Sequence, residues 1–168
     1  KSTMDDIAKE ANLAKGSLYY HFKSKEELFV TIIESGVTYA TEKIEEFANE
    51  DLPLNEITMN CVNFIIDYQL EYPALFSLFY SENTNGMSES VVISIRNLKS
   101  NMYSVLSKLF KEANEIGLVG KMDYDLASVA ILSMVNGICQ ELVYNNNESN
   151  IESAKELIIS ALFNGILK

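Results

Sequence analysis

From Ser24 to Phe47 the apolar residues Leu28, Ile32, Ile33, Val37, Ala40, Ile44 and Phe47 recur at steps of one, three and four, with no proline among them. A 3.6-residue period held over that length permits a helix and little else, because a strand would turn alternate side chains of this set into water. The rest of the chain follows the same rule. Two prolines and seven glycines in 168 residues, with abundant Leu, Ile, Ala, Glu, Lys and Ser, favour long helices over a sheet. The chain is expected to be all-α.

The periodicity places the remaining elements. Leu54 to Glu71 reads as a helix with Ile57, Cys61, Phe64, Ile65 and Tyr68 on an inner face. It ends at Tyr72 because a residue before proline is pushed out of the α region, and Pro73 can open a short helix, Ala74 to Tyr80. Ser81 to Ser88 is a polar loop. A long amphipathic helix follows from Glu89 to Ile116, carrying Val92, Ile95, Met102, Val105, Leu106, Leu109 and Phe110 and closed by Gly117. Tyr124 to Tyr144 is apolar on more than one side and stops at Asn145-Asn146-Asn147. Ile151 to Leu167 is the last helix, with Ala154, Leu157, Ile158, Ala161, Leu162 and Ile166 on its apolar positions.

Ahead of Ser24 the pattern is denser. Thr3 can cap a helix whose first turn carries Asp5 and Asp6 against the positive end of its dipole, with Ile7, Ala8 and Ala11 as a narrow apolar stripe. A second helix, Lys15 to His21, puts Leu18 and Phe22 on the buried side and leaves Lys15, Ser17, Tyr19, Tyr20 and His21 facing outward. Two short helices joined by a tight turn make a helix-turn-helix, and the outward residues suit DNA. Lys15 leads, Gly16 lets the backbone approach closely, Ser17 is a small hydrogen-bonding group, and the phenols and imidazole can donate to phosphates. Ser24 and Glu27 form an S-x-x-E capping box that opens the third helix, whose free N–H groups and Lys25 make a seat for a phosphate.

At these residues the chain resembles the TetR-like family of transcriptional regulators. The match is T-x-x-x-I-A-x-x-A at Thr3, Ile7, Ala8 and Ala11, then K-G-S-L-Y-Y-H-F-K-S-K-E-E-L from Lys15 to Leu28. Two positions depart from the pattern. Asn12 stands where the family usually has the turn glycine, a mild change because Asn tolerates a left-handed conformation. Ala14 stands where Ser or Thr usually caps the recognition helix, a loss of about 1 kcal/mol. The resemblance implies a DNA-binding region at residues 1–29, a helical effector-binding and dimerisation domain at residues 30–168, and a helix before Lys1. An uncovered apolar side on Ile7, Ala11, Leu18 and Phe22 points the same way, to roughly 15 to 20 further residues, one average helix and its turn.

Charge distribution bears on DNA. The chain carries a net charge of −11, yet residues 1–29 hold five lysines and five acids, so the acidity lies entirely in residues 30–168. An acidic body behind a neutral DNA-facing end weakens non-specific attraction and helps to orient the protein, and binding should fall with salt. The longest apolar clusters, Val129 to Val135 and Leu157 to Phe163, are shorter than the roughly 18 residues a membrane span needs, so no membrane helix is expected. Cys61 and Cys139 sit in apolar helices without CxxC spacing or a nearby His, as reduced core residues of a cytoplasmic protein do. The single His and the lack of any Ser/His/Asp, Cys/His or paired-carboxylate arrangement at helical spacing give no catalytic or metal site. No cofactor is expected.

The DNA-contacting candidates are therefore Thr3, Lys15, Gly16, Ser17, Tyr19, Tyr20, His21 and Lys25. TetR-like regulators hold an apolar or amphipathic effector among the body helices, which makes Phe64, Tyr68, Phe79, Arg96, Met102, Tyr103, Met134 and Asn136 the candidates for a ligand site. For most of these the competing role is ordinary core, and for Arg96 a solvated surface. The last two helices are apolar on faces wider than one core requires, and the resemblance implies a homodimer through them, with Ser128, Ser133, Gly137, Ser160, Ala161 and Gly165 allowing close approach. The expected function is a ligand-responsive repressor that binds a palindromic operator as a dimer and is released by a small effector. The alternative is a helical dimer that has lost DNA binding and takes a small molecule or protein, an option that Asn12, Ala14 and the acidic body keep open.

Overall fold

The computed structural model describes residues 2–80, 87–145 and 150–165. Among the described residues eight helices follow one another: α1 (Met4–Glu10), α2 (Lys15–His21), α3 (Lys25–Ala48), α4 (Leu54–Glu71), α5 (Pro73–Tyr80), α6 (Glu89–Glu115), α7 (Tyr124–Tyr144) and α8 (Ile151–Gly165). The expected loop at 81–86, the stop at Asn146 and Asn147, and the end of the last helix beyond Gly165 lie outside the described residues.

Local chemistry explains where the helices begin and end. Thr3 and Asp6 make a full capping box: the Asp6 amide donates to Thr3 Oγ1 at 3.2 Å and the Thr3 amide to Asp6 Oδ2 at 2.8 Å. Ser24 accepts from the Glu27 amide at 3.1 Å, but the Glu27 carboxylate takes the Lys23 amide at 2.7 Å instead of closing the expected box on Ser24. Asp123 caps α7 by accepting from the Leu126 amide at 3.0 Å. Ala14 caps α2 with no side-chain hydrogen bond. Two helices stop alike, each with a left-handed residue just past the end: Asn12 at φ 53° after α1 and Gly117 at φ 79° after α6. Leu13 N–H then donates to Ala8 O and Leu118 N–H to Ala113 O, so carbonyls of the last turns are satisfied.

Three clusters of buried side chains divide the core. The first joins α1, α2 and the start of α3 through Met4, Ala8, Leu18 and Leu28. The second joins α3, α5, α6 and α7 through Ile33, Val37, Phe79, Val91, Ile95, Met102 and Leu132. The third joins α4, α7 and α8 through Val62, Ile66, Ile131, Val135, Cys139, Ile158 and Leu162, with Val119 from the α6–α7 connection. Helix α3 belongs to the first cluster at Leu28 and to the second from Ile33 onward, so one continuous rod links the two.

Several phases differ from the sequence reading. Met4, not Ala11, lies under α1, because Ala11 is already the cap residue and is exposed. Val91 faces the core of α6 and Val92 is half-buried. On α4 the fully inward residues are Val62, Ile66 and Gln69, one position round from the expected stripe, and the Gln69 Nε2 is buried without a hydrogen-bond partner. Helix α7 also corrects the hydropathy argument. An 18-residue window within its 21 residues reaches a mean hydropathy of 1.6, long and apolar enough to cross a membrane by length and composition alone. Interruption by Ser128, Ser133 and Asn136 shortens each apolar run, yet the average over the window stays high. Ile131, Leu132, Val135 and Cys139 of this helix are buried in the bundle, which accounts for its inner face.

Candidate functional site

The outer face of α2 presents a row of exposed polar and aromatic side chains. Ser17, Tyr20 and His21 are exposed, Tyr20 at 85% of its surface, and Tyr20 and His21 meet edge to face with ring centroids 5.1 Å apart. A methyl group built at Gly16 would meet no atom within 4 Å. Gly16→Ala should therefore stabilise the free protein by about 0.5–1 kcal/mol, because alanine loses less backbone freedom in a helix. It should weaken operator binding if the helix backbone approaches DNA there. Thermal melting and a mobility-shift titration that moved together would contradict that placement.

The other four candidates are engaged at the start of α1. Lys15 Nζ lies 2.6 Å from Asp5 Oδ2, and the Tyr19 hydroxyl donates to Asp5 Oδ1 at 3.3 Å. The Lys15 hydrogen bond holds the Asp5 carboxyl below its usual range, and the same contact raises the Lys15 ammonium. Lys25 Nζ donates to Ser2 O at 2.8 Å and to Ser2 Oγ at 3.0 Å, and the Thr3 hydroxyl is held by Asp6. The described structure thus brings the eight residues to one end of the molecule, with two lysines already paired. Both lysine pairs are exposed, so exchanging them for phosphates costs little.

The body holds a cavity lined by other residues than those expected to bind a ligand. A partly enclosed cavity of about 380 Å³ opens among α3, α4, α6, α7 and α8. Its inner wall is Ile44, Val62, Ile65, Val119, Ile131, Leu132, Val135 and Leu162, and Ile57, Thr58 and Cys61 line it from α4. Leu106, Leu109, Phe110 and Ala113 line it from α6, and Glu112, Glu115, Ile116 and Leu118 are its solvent-exposed members. Burial, with a smaller push from Glu50, raises the Cys61 thiol to about 12, so it is a neutral wall group at physiological pH. A volume in the range of small-molecule sites and a mostly apolar wall suit an apolar ligand.

None of the eight residues named for ligand binding lines this cavity. Phe64 and Tyr68 stack on each other at 5.6 Å and join Tyr39, Phe47, Tyr72 and Phe76 in a chain of rings on the α3–α4 side, with the Tyr68 hydroxyl donating to Gly36 O at 3.3 Å. Phe79, Met102 and Tyr103 belong to the second core cluster, and Met134 packs on the third. Arg96 is exposed, and Asn136 accepts from Gln140 beside a separate recess near α5. Aromatic and sulfur side chains were the natural guide, but they fill space well and so mark where the core is solid. The cavity is where aliphatic side chains fall short of one another. Ile57, Cys61 and Ile65, four residues apart on α4, were the sequence signal for it.

The first 32 residues match the family described as bacterial regulatory proteins, tetR family. Among curated proteins, an uncharacterised HTH-type transcriptional regulator of Bacillus subtilis, YhgD, is 26% identical over 79% of this chain and 69% of its own length. The negative regulator of the biofilm operon icaADBC in Staphylococcus aureus, IcaR, is 26% identical over 67% of this chain, and the match spans 60% of its length. Among solved structures, a candidate regulator of fatty acid metabolism from Clostridium perfringens superposes with a TM-score of 0.82 at 25% identity, covering 99% of this chain and 90% of that one. FadR of Bacillus subtilis, solved with stearoyl-CoA, shares the fold at a TM-score of 0.75 and 20% identity, covering 95% of this chain and 88% of that one. With its matched N-terminal segment, its helix-turn-helix face and its all-helical body, the chain is a TetR-family helix-turn-helix transcriptional regulator.

Proposed function

We propose that the protein is a dimeric repressor that binds a palindromic operator through α2 and releases it when an apolar or amphipathic effector enters the body cavity. One observation carries this reading: α3 places Leu28 in the core beneath the DNA-facing helices and Ile44 and Ala48 in the cavity wall. Its 24 residues span about 36 Å as a single helix. A ligand that repositions the far end of such a rod moves the near end with it, and two recognition helices must sit about 34 Å apart to read successive major grooves. In this reading residues 1–29 form the DNA-binding domain and residues 30–168 the effector and dimer domain, with the boundary inside α3 between Leu28 and Ile33.

The dimer is proposed through α7 and α8. Their outward faces carry Leu126, Val129, Tyr144 and Leu157, exposed by 67%, 39%, 87% and 61%. Ser133, Gly137, Ser160 and Ala161 lie exposed on the same helices, where small residues permit close approach. Ser128 does not join them: it is wholly buried in its own chain, with its hydroxyl donating to Tyr124 O at 2.7 Å. The test of the whole reading is a mobility shift with the DNA upstream of the protein's own gene, at low and at moderate salt. Tyr20→Ala should weaken that complex by about 1–3 kcal/mol, roughly tenfold to a hundredfold, while leaving the melting temperature unchanged. Unaltered affinity would remove Tyr20 from the interface, and no salt-sensitive specific shift with the unsubstituted protein would end the reading.

A further inference from the structure

We propose that the body cavity selects a lipophilic cation, and that it discriminates against acyl-CoA thioesters and other anionic amphiphiles; this rests on the effector role given to the cavity above. The wall offers an anionic head nothing to pair with. Among the described residues lining it there is no Lys, Arg, His, Asn or Gln. Its one hydroxyl, on Thr58, already donates to Leu54 O at 2.7 Å. The charges that do reach it are negative. Glu112 and Glu115 line the exposed end, and Glu50 lies close enough to Cys61 to act on its thiol.

Among the described residues three helix ends meet the cavity wall: α4 begins there at Leu54 with the positive end of its dipole, and two other helices finish there. Helices α3 and α6 both end at the cavity, at Ala48 and Glu115, and neither carries a basic residue in its last turn. Helix C-termini are the negative ends of their dipoles. Lys108 reaches Glu112 only at 3.8 Å, from an exposed position. The whole chain adds a net charge of −11. An apolar tail is therefore drawn in by the aliphatic wall, and the sign of its head decides whether the rim attracts or repels it.

The chain contains no tryptophan, so Phe110→Trp would put a single emitter in the cavity wall. The test titrates this full-length variant with decyltrimethylammonium, 1-decanol and decanoate, which share a ten-carbon tail and differ in charge; thermal-shift titration of the unsubstituted protein with the same three compounds is the second readout. The cation should bind about tenfold more tightly than the alcohol and the carboxylate about tenfold more weakly, a spread that narrows with salt. Glu112→Gln with Glu115→Gln should bring the three within about threefold of one another. Equal binding of the three by the unsubstituted rim, or tightest binding of decanoate, would overturn the charge assignment and leave the cavity an effector site. Failure of all three to bind would overturn both. Tight binding of the cation without release of operator DNA would keep the charge assignment and overturn the effector role.

Discussion

Leu157→Glu is expected to leave the protein monomeric and to lower its affinity for a two-half-site operator by about 10²–10⁴-fold, the advantage that linking two weak half-site contacts confers. Leu157 lies on the outward face of α8, while Ala154, Ile158 and Leu162 of the same helix point into the core. A substitution at this exposed position leaves the chain's own packing intact. In a two-fold interface the same surface meets itself, so one change introduces two carboxylates beside the axis. Each would have to be buried against apolar residues such as Leu126 and Tyr144 or exclude the partner, and burying an unpaired charge costs far more than the leucine contributed. Sedimentation at micromolar concentration and titration of a full operator beside a single half-site check this. A persistent dimer would move the interface elsewhere, and a monomer that still held the full operator as tightly would show that dimerisation is not what provides affinity.

How far such sites can be read from sequence alone differs by element. The limits of α4 and α7 follow from residues that act locally: Pro53 and Pro73 bound α4, and Asp123 caps α7 by bonding an amide three residues on. The helix-turn-helix was equally legible, since Thr3, Asn12 and Leu18 act within one or two turns of their own positions. Even here Met4 rather than Ala11 lies beneath α1, because Ala11 is already the cap, and in α6 the phase slipped by a residue, from Val92 to Val91. Spacing fixes which residues share a face and leaves open which neighbour that face meets. The pairing of Lys15 with Asp5 spans ten residues and two helices, so nothing in either helix announces it. The cavity was the least legible feature of all. A void depends on the distance between helices far apart in sequence, and Ile65 and Leu106 bound the same space only after α4 and α6 have been set side by side.

Phe79 separates a core role from a ligand-binding one. Its ring is 0% exposed, packed with Ile33 and Val37 of α3 and Val91 and Ile95 of α6, edge-on to Tyr80 at 5.0 Å and under the Lys99 ammonium at 5.6 Å. Phe79→Ala should cost about 3–5 kcal/mol, the transfer energy of the ring plus the void it leaves. Against the 5–15 kcal/mol that holds a typical domain together this is a large share, and it corresponds to a fall of about 6–20 °C in melting temperature for a chain of this size. Because Phe79 does not line the cavity, the folded fraction of the variant should bind decyltrimethylammonium with unchanged affinity. A ligand-contacting phenylalanine would behave in the opposite way: it would keep most of its stability and lose the ligand. Calorimetry and ligand titration on the same sample therefore decide between the roles, and a loss under about 1.5 kcal/mol together with weakened binding would return Phe79 to the effector site. The same comparison tests α3, since the ring braces its middle turns at Ile33 and Val37. A variant that folds but no longer releases DNA on ligand binding would place the transmitting contact at this point of the helix.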